Sequence, residues 1–520
     1  MLELGQFPLF SLLILPVLLI VLFSDKIFYH KNPSPSQSSS SHPPKSYPII
    51  GSFFALHKHR DQLLIWVSDI LQASPTSTFI LHKPLGNRQV FTANPANVEH
   101  ILKTQFPNYP KGSVFSSVLE DLLGHGIFNV DGHEWKFQRQ IASHEFNTKS
   151  LRKFIENVVD IELSERLIPI LSDSAKTCAV LDLQDILKRF ATDNICQIAF
   201  GYDPAWLSPS LPGAQFAASF EEAVQISSQR LRAIFPFVWK IKRFLNVGSE
   251  RNLRKAVSVV RKCARTLVGH KKKELQENPG LPESNLDLLS RFLRSGHIDE
   301  QFVTDIVISF ILAGRDTTSA ALTWFFWLLS KNPIVEDEIL KEIRKNNKDS
   351  ESEHSSFEEA RHMAYTHAAI CESMRLYPPV PVDTKEAVAD DVLPDGTEVK
   401  RGTRVAYHPY AMGRSETLWG VDWSEFRPER WLEKKTTEEG EICWRFVPRD
   451  PYSYPVFQAG PRICLGKEMA FLQMKRVVAC VLGRFRVVPA VEDGFHPVYA
   501  PSLTARMEGG FPVRFERRDG

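Results

Sequence analysis

The stretch Phe457-Gln458-Ala459-Gly460-Pro461-Arg462-Ile463-Cys464-Leu465-Gly466 decides the fold, because it sets one cysteine in a glycine-bracketed turn ahead of a helical run over 467–482. That run offers Cys464 a helix N-terminus, which favours an ionised sulfur. A thiolate is a strong axial ligand for haem iron, and its electron donation favours O–O cleavage. Gly460 and Gly466 permit tight backbone geometry and close approach of a flat macrocycle. Arg462 is placed to pair with a haem propionate, and Phe457 to shield the sulfur. A lone cysteine is ordinarily a small buried hydrophobe. The pattern F-x-x-G-x-R-x-C-x-G around this one points to a ligand instead.

A second element answers the first. Over 299–330, from the capping residue Asp299 toward the stop at Pro333, apolar residues such as Val307, Ile308, Phe310, Ile311 and Leu312 lie nearly all round. The spacing predicts a helix of about 30 residues, some 45 Å long, running through the core. Ala313-Gly314-Arg315-Asp316-Thr317-Thr318 interrupts it. A glycine and polar side chains inside a buried helix are locally unfavourable, and such rules break where function resides. Elsewhere, Trp135 and Arg139 share a helical face at i,i+4. Glu372 and Arg375 stand three apart among apolar neighbours, just before Tyr377-Pro378-Pro379, and a buried pair of this kind needs a third partner. A β-rich hairpin is expected over 76–93, turning at 84–87, and helical periodicity dominates from 95 to about 376.

The chain has 520 residues, 43% of them hydrophobic, enough for one large core. A net charge of +2 gives no basis for nucleic-acid binding. Seven scattered cysteines with no C-x-x-C pair indicate neither a disulfide framework nor a zinc site, and fit a reducing compartment. The apolar run 7–23 reads as a membrane anchor within residues 1–25. A cleaved signal peptide is its rival, but Glu3 and Ser24-Asp25-Lys26 argue for retention. Lys26 and Lys31 then put the body in the cytosol. Residues 26–48, rich in proline and serine, form a stiff linker, and 49–520 the folded body.

These motifs, in this order, resemble the cytochrome P-450 family of haem-thiolate monooxygenases over about 49–517. The resemblance implies a mainly α fold with small β-sheets in a single large haem domain, anchored in the endoplasmic reticulum membrane. It implies haem b ligated by Cys464 and otherwise held non-covalently. Ala313 stands where some animal relatives carry a glutamate that esterifies the haem. Trp135, Arg139 and Lys385 would join Arg462 around the propionates. Gly314 would open the helix wall, and Thr317 with Asp316 would steer water and protons to dioxygen. Alternatively, Thr317 simply bonds back to the carbonyl four residues earlier. Arg430, in Phe426-Arg427-Pro428-Glu429-Arg430-Trp431, would complete a structural triad with Glu372 and Arg375. Loops at 113–130 and 502–504 would cover the substrate.

NADPH–cytochrome P-450 reductase is the implied partner. Lys467, Lys475 and Arg476 read either as its docking patch or as a solvated basic face. Segment 205–248 mixes Phe235, Phe237, Trp239 and Phe244 with Arg230, Arg232, Lys240, Lys242 and Arg243. It is either an ordinary amphipathic surface or a membrane-lying channel with a cation for an anionic substrate head. No G-x-G-x-x-G run is present, so no fused reductase is expected. The runs 190–201, 313–318 and 454–460 resemble the plant fatty-acid ω-hydroxylase branch. The implied substrate is hydrophobic, a long-chain fatty acid hydroxylated at its terminal carbon. ω-Oxidation of a jasmonate–amino-acid conjugate or sterol side chain, rearrangement of a fatty hydroperoxide, and non-catalytic haem binding are the alternatives. Thr317 and the regular cysteine loop argue against rearrangement.

Overall fold

The computed structural model describes residues 42–518 except 209–213, 281, 283–285, 297–298, 350–355, 437–441 and 493. The apolar run 7–23 and the linker up to residue 41 lie outside the described residues. Among the described residues, no helix is long and apolar enough to cross a membrane.

Helices dominate, with small sheets at the periphery, as the family resemblance implies. The helices that build the site are α1 (Phe53–Lys58), α2 (Gly112–Leu123), α3 (Gly132–Ser143), α4 (Leu183–Phe200), α5 (Ala214–Arg232), α6 (Pro236–Leu245), α7 (Gly248–Glu277), α8 (Glu300–Ser330), α9 (Ala364–Leu376) and α10 (Lys467–Leu482). The strands that bear on the site are β1 (Thr78–His82), β2 (Arg88–Thr92), β3 (Leu181–Asp182), β4 (Asp383–Glu386), β5 (Arg404–Tyr407), β6 (Phe485–Pro489), β7 (Tyr499–Ala500), β8 (Arg506–Met507) and β9 (Pro512–Arg517).

The axis is α8. The Asp299 side chain accepts from the Gln301 amide and caps it. Its two halves belong to different cores. Val303 to Leu312 pack with α2, α5 and α7, while Ala321 to Leu329 pack with α9, α10 and the C-terminal sheet. The interrupted segment 313–318 lies at the junction between them. Apolar burial on both sides fixes the helix there, so the junction itself is free to carry polar groups.

The predicted hairpin forms as β1–β2 and extends into a four-stranded sheet, β1-β2-β5-β4. The register pairs Gln89 with Arg404 across β2–β5 and Glu386 with Arg404 across β4–β5. β6, β9 and β3 form a second sheet, and β7–β8 a short hairpin. Segment 113–130 corrects the expectation of a loop. Val118, Leu119, Leu122 and Leu123 recur at helical spacing and bury one face of α2, leaving irregular chain only from Gly124 to Asp131.

Candidate active site

Cys464 is held by backbone on both sides. Its amide donates to the Phe457 carbonyl (2.8 Å), and the Gly466 amide donates to its sulfur just before α10 begins. Desolvation by the surrounding chain raises the thiol pKa although the residue is exposed, while the Gly466 amide, Arg139 and Lys467 pull it back. A Cβ on Gly466 would lie 3.9 Å from that sulfur. Gly460 has a different use from the one expected. At φ +64° a Cβ there would meet the Leu102 carbonyl oxygen at 2.1 Å, so the glycine admits a neighbouring turn rather than a macrocycle. The Phe457 ring packs on Phe471, with centroids 5.1 Å apart.

Around this loop the basic residues named from sequence converge. Arg462 lies over the Trp135 ring, 4.4 Å from its centroid, and bonds Asp131 and the Val130 carbonyl. Arg139 approaches the same ring from 5.8 Å. Lys385 and Lys111 both bond the buried Asp383, at 3.2 and 2.9 Å. Tyr407 donates to Asp383 (2.9 Å), and Gln458 donates to it as well (2.5 Å). Burial works to raise the Asp383 pKa, yet Lys111 and Lys385 hold it well below the carboxylate range. Burial lowers Lys385 to about 7 despite Asp383. Lys111, Asp131, Asp383, Tyr407 and Gln458 were not singled out from sequence. The one signal was Asp383, a lone acid after the apolar run Pro379-Val380-Pro381-Val382.

The balance of charge tests the fit to haem. Arg139, Arg462, Lys385 and Lys111 are faced by Asp131 and Asp383, leaving basic groups in excess beside the ligand cysteine. A haem brings two propionates and an iron that takes a thiolate, so these residues suit it.

Along the buried α8, Ala313, Gly314 and Thr317 are the partly open positions between Leu312 and Thr318. Ala313 and Thr317 share a face at i,i+4, and the Thr317 hydroxyl donates to the Ala313 carbonyl (2.6 Å). The back-bond read as an alternative from sequence is therefore present. It uses the donor and leaves the acceptor lone pairs of Oγ1 for another group. Gly314 stands against α4. A Cβ there would strike Ile195 at 2.6 Å, so the glycine lets α4 close on α8. Asp316 is buried, 2.7 Å from Arg315 and 3.5 Å from the Thr504 hydroxyl, and burial raises its pKa against the pull of Arg315. The 502–504 turn thus lies against α8, and Leu503 packs on the adjoining core.

The structural triad closes as expected. Arg375 reaches Glu372 through two bonds of 2.8 Å, and Arg430 joins at 3.2 Å. Trp431 Nε1 and the Arg427 amide also donate to Glu372 (2.9 and 3.1 Å). Two basic groups are otherwise engaged. Lys475 is buried and lowered to about 8 by burial, and Arg476 bonds Asp160 and Glu359 at 2.9 Å each. The helix after Cys464 therefore offers neither of them as a docking charge. In 205–248, Arg230 is paired with Glu250 and Asp121, and Arg243 with Asp121. Those two are not available for a substrate head.

A cysteine loop over a helix, surplus cations beside it and a helix junction carrying Thr317 define a haem-thiolate monooxygenase. A family model described as Cytochrome P450 matches residues 41–511, and the chain belongs to that family. It is 62% identical to cytochrome P450 94A2 of Vicia sativa over 93% of both chains. It is 50% identical to cytochrome P450 94B3 of Arabidopsis thaliana over 98% of both, and 46% identical to cytochrome P450 94C1 of the same plant over 87% of this chain and 89% of that one. Membership brings a haem with cysteine as axial ligand, a reductase as redox partner and a hydrophobic substrate.

Proposed function

We propose that the protein hydroxylates the terminal carbon of long-chain fatty acids. The haem, bound through Cys464, supplies dioxygen activation and insertion of one oxygen atom into a C–H bond. The chain's own residues do the rest. Arg462, Arg139, Trp135 and Lys385 would hold the propionates of the haem, and the Gly466 amide would donate to the ligand sulfur. Thr317 accepts and passes a proton at Oγ1, and the adjacent Asp316, whose pKa burial raises against the pull of Arg315, resupplies it. Glu372, Arg375 and Arg430 keep the scaffold rigid beneath.

The observation that carries the reading is the apolar core that meets α8 next to Ala313 and Thr317. Leu312 of α8, Ile195 of α4, α2 and Leu503 contribute apolar groups, while Arg315, Arg230 and Arg261 are tied to Asp316, Glu250 and Asp305. An apolar chain end suits such a core, and a terminal C–H bond, stronger than its neighbours, is selected by position. Residues 49–520 are read as the haem domain, with residues 1–25 as anchor to the endoplasmic reticulum. An aromatic surface supports membrane contact: Phe53 and Phe235 lie 5.6 Å apart, with Tyr47, Ile49, Phe54, Phe237 and Phe244 exposed nearby in sequence. Membranes containing the protein and a plant reductase should convert long-chain acids to ω-hydroxy acids, identified by product mass spectrometry. Turnover only of jasmonate–amino-acid conjugates or sterols would overturn the fatty-acid reading.

A further inference from the structure

The cysteine loop makes an unusual turn at Gln458. Its φ is +61° and its ψ −176°. Positive φ with extended ψ is territory that glycine alone enters without strain. Cys178 and Asn246 also have positive φ, but with ψ of 25° and 49° they take the ordinary left-handed conformation at helix ends. A residue with a side chain stays where Gln458 does only when its surroundings hold it there.

Two sets of bonds hold it. Through the backbone, the Gln458 amide donates to the Pro455 carbonyl (3.1 Å), and the carbonyl of the same peptide unit, that of Phe457, accepts the Cys464 amide (2.8 Å). Through the side chain, Nε2 donates to Asp383 (2.5 Å), and Oε1 stands 2.7 Å from the Tyr407 hydroxyl. That hydroxyl is also 2.9 Å from Asp383, so its proton is shared between them. Asp383 and Tyr407 are register partners across β4–β5 and both are buried, so the sheet presents them as a fixed pair. Lys111 and Lys385 clamp Asp383 further, at 2.9 and 3.2 Å.

The turn also has a packing reason. Phe457 lies against the core shared by α9 and α10, whereas Ala459 is buried in the core of the four-stranded sheet. The chain changes direction between them, at Gln458. A glycine would make that change without strain. The glutamine adds what glycine lacks, a side chain that carries the position of the sheet into the loop. Its Cα bears the group tied to Asp383, and the peptide before that Cα bears the carbonyl that takes the Cys464 amide.

We propose that Gln458 is a positioning residue for the ligand sulfur: its side chain, tied to Asp383 and Tyr407, fixes the 457–458 peptide and through it the Cys464 backbone. Groups behind a metal ligand commonly orient it in this way. The test uses the purified full-length haem protein, following its reduced carbon monoxide complex on mild warming with haem content read in parallel. Gln458→Ala keeps the strained turn and removes the side-chain bonds. Its thiolate-type band should decay about tenfold faster than in the wild type while haem stays bound. Gln458→Gly removes the strain together with the bonds, and its decay should be only about threefold faster. Gln458→Glu sets a second carboxylate against Asp383 and should decay at least as fast as Gln458→Ala. Adding Asp383→Asn to it re-forms the bond with the charge moved to the loop, and should slow the decay toward the wild-type rate. A wild-type rate in Gln458→Ala, or a Gln458→Gly protein as durable as the wild type, would overturn the proposal. So would haem lost in step with the band, which would make Gln458 a residue of haem retention alone. If Gln458→Ala takes up no haem, Tyr407→Phe decides: removing its hydroxyl should quicken the decay about threefold, and an unchanged rate overturns the proposal.

Discussion

Two buried clusters, each gathering basic groups and other donors around one carboxylate, do opposite things. Around Glu372 every group is answered. Both oxygens receive donors from Arg375, and Arg430, Trp431 and the Arg427 amide complete the set. Around Asp383, cations outnumber acids, and Lys385 is driven down to about 7 by burial. A closed cluster spends its charges on the fold. An open one keeps them for a ligand.

The contrast is sharpest under mutation. Glu372→Ala leaves Arg375, fully buried, without its counter-ion. The expected loss is about 3–5 kcal/mol, enough that little folded haem protein accumulates, as checked by unfolding and haem content. Arg462→Gln or Lys385→Gln, on the open side, should leave folding nearly intact while haem is lost about tenfold faster to an acceptor protein. If both classes of variant unfold alike, the distinction between the clusters fails.

The chemistry at the helix junction predicts a smaller change. Thr317→Val keeps the shape but removes the hydroxyl bonded to Ala313. Haem spectrum and acid binding should persist, while more of the NADPH consumed ends as hydrogen peroxide. Unchanged coupling would remove Thr317 from proton delivery.

His408 illustrates a third kind of buried group, one kept neutral. Its Nδ1 accepts the Ala411 amide at 3.0 Å, and burial lowers its pKa to about 3. The unfolded chain takes up this proton near pH 6.5 and the folded one near 3, so stability falls as pH drops through that window. His408→Asn, which keeps an acceptor, should remove about 2 kcal/mol of the acid sensitivity between pH 7 and 5 in unfolding curves. An unaltered pH slope would contradict this account.

What sequence made legible follows the range of each interaction. The cap at Asp299, the i,i+3 pair Glu372–Arg375 and the β1–β2 hairpin are local, so spacing disclosed them. Asp383 finds Lys111 across 272 positions of chain, and no periodicity announces that. Gly314 was rightly marked as unusual, but only the packing of α4 shows that it admits Ile195. The cysteine motif itself held Arg462 beside Cys464. It did not disclose that Arg476 is tied to Asp160 and Glu359, because those acids come from distant segments.

The reduced carbon monoxide complex of the full-length protein, wild type against Cys464→Ser, gives the most direct reading of sulfur on iron. The wild type should display the thiolate-type band and the serine variant should lose it while haem can still be detected. Persistence of that band without the Cys464 sulfur would contradict the account.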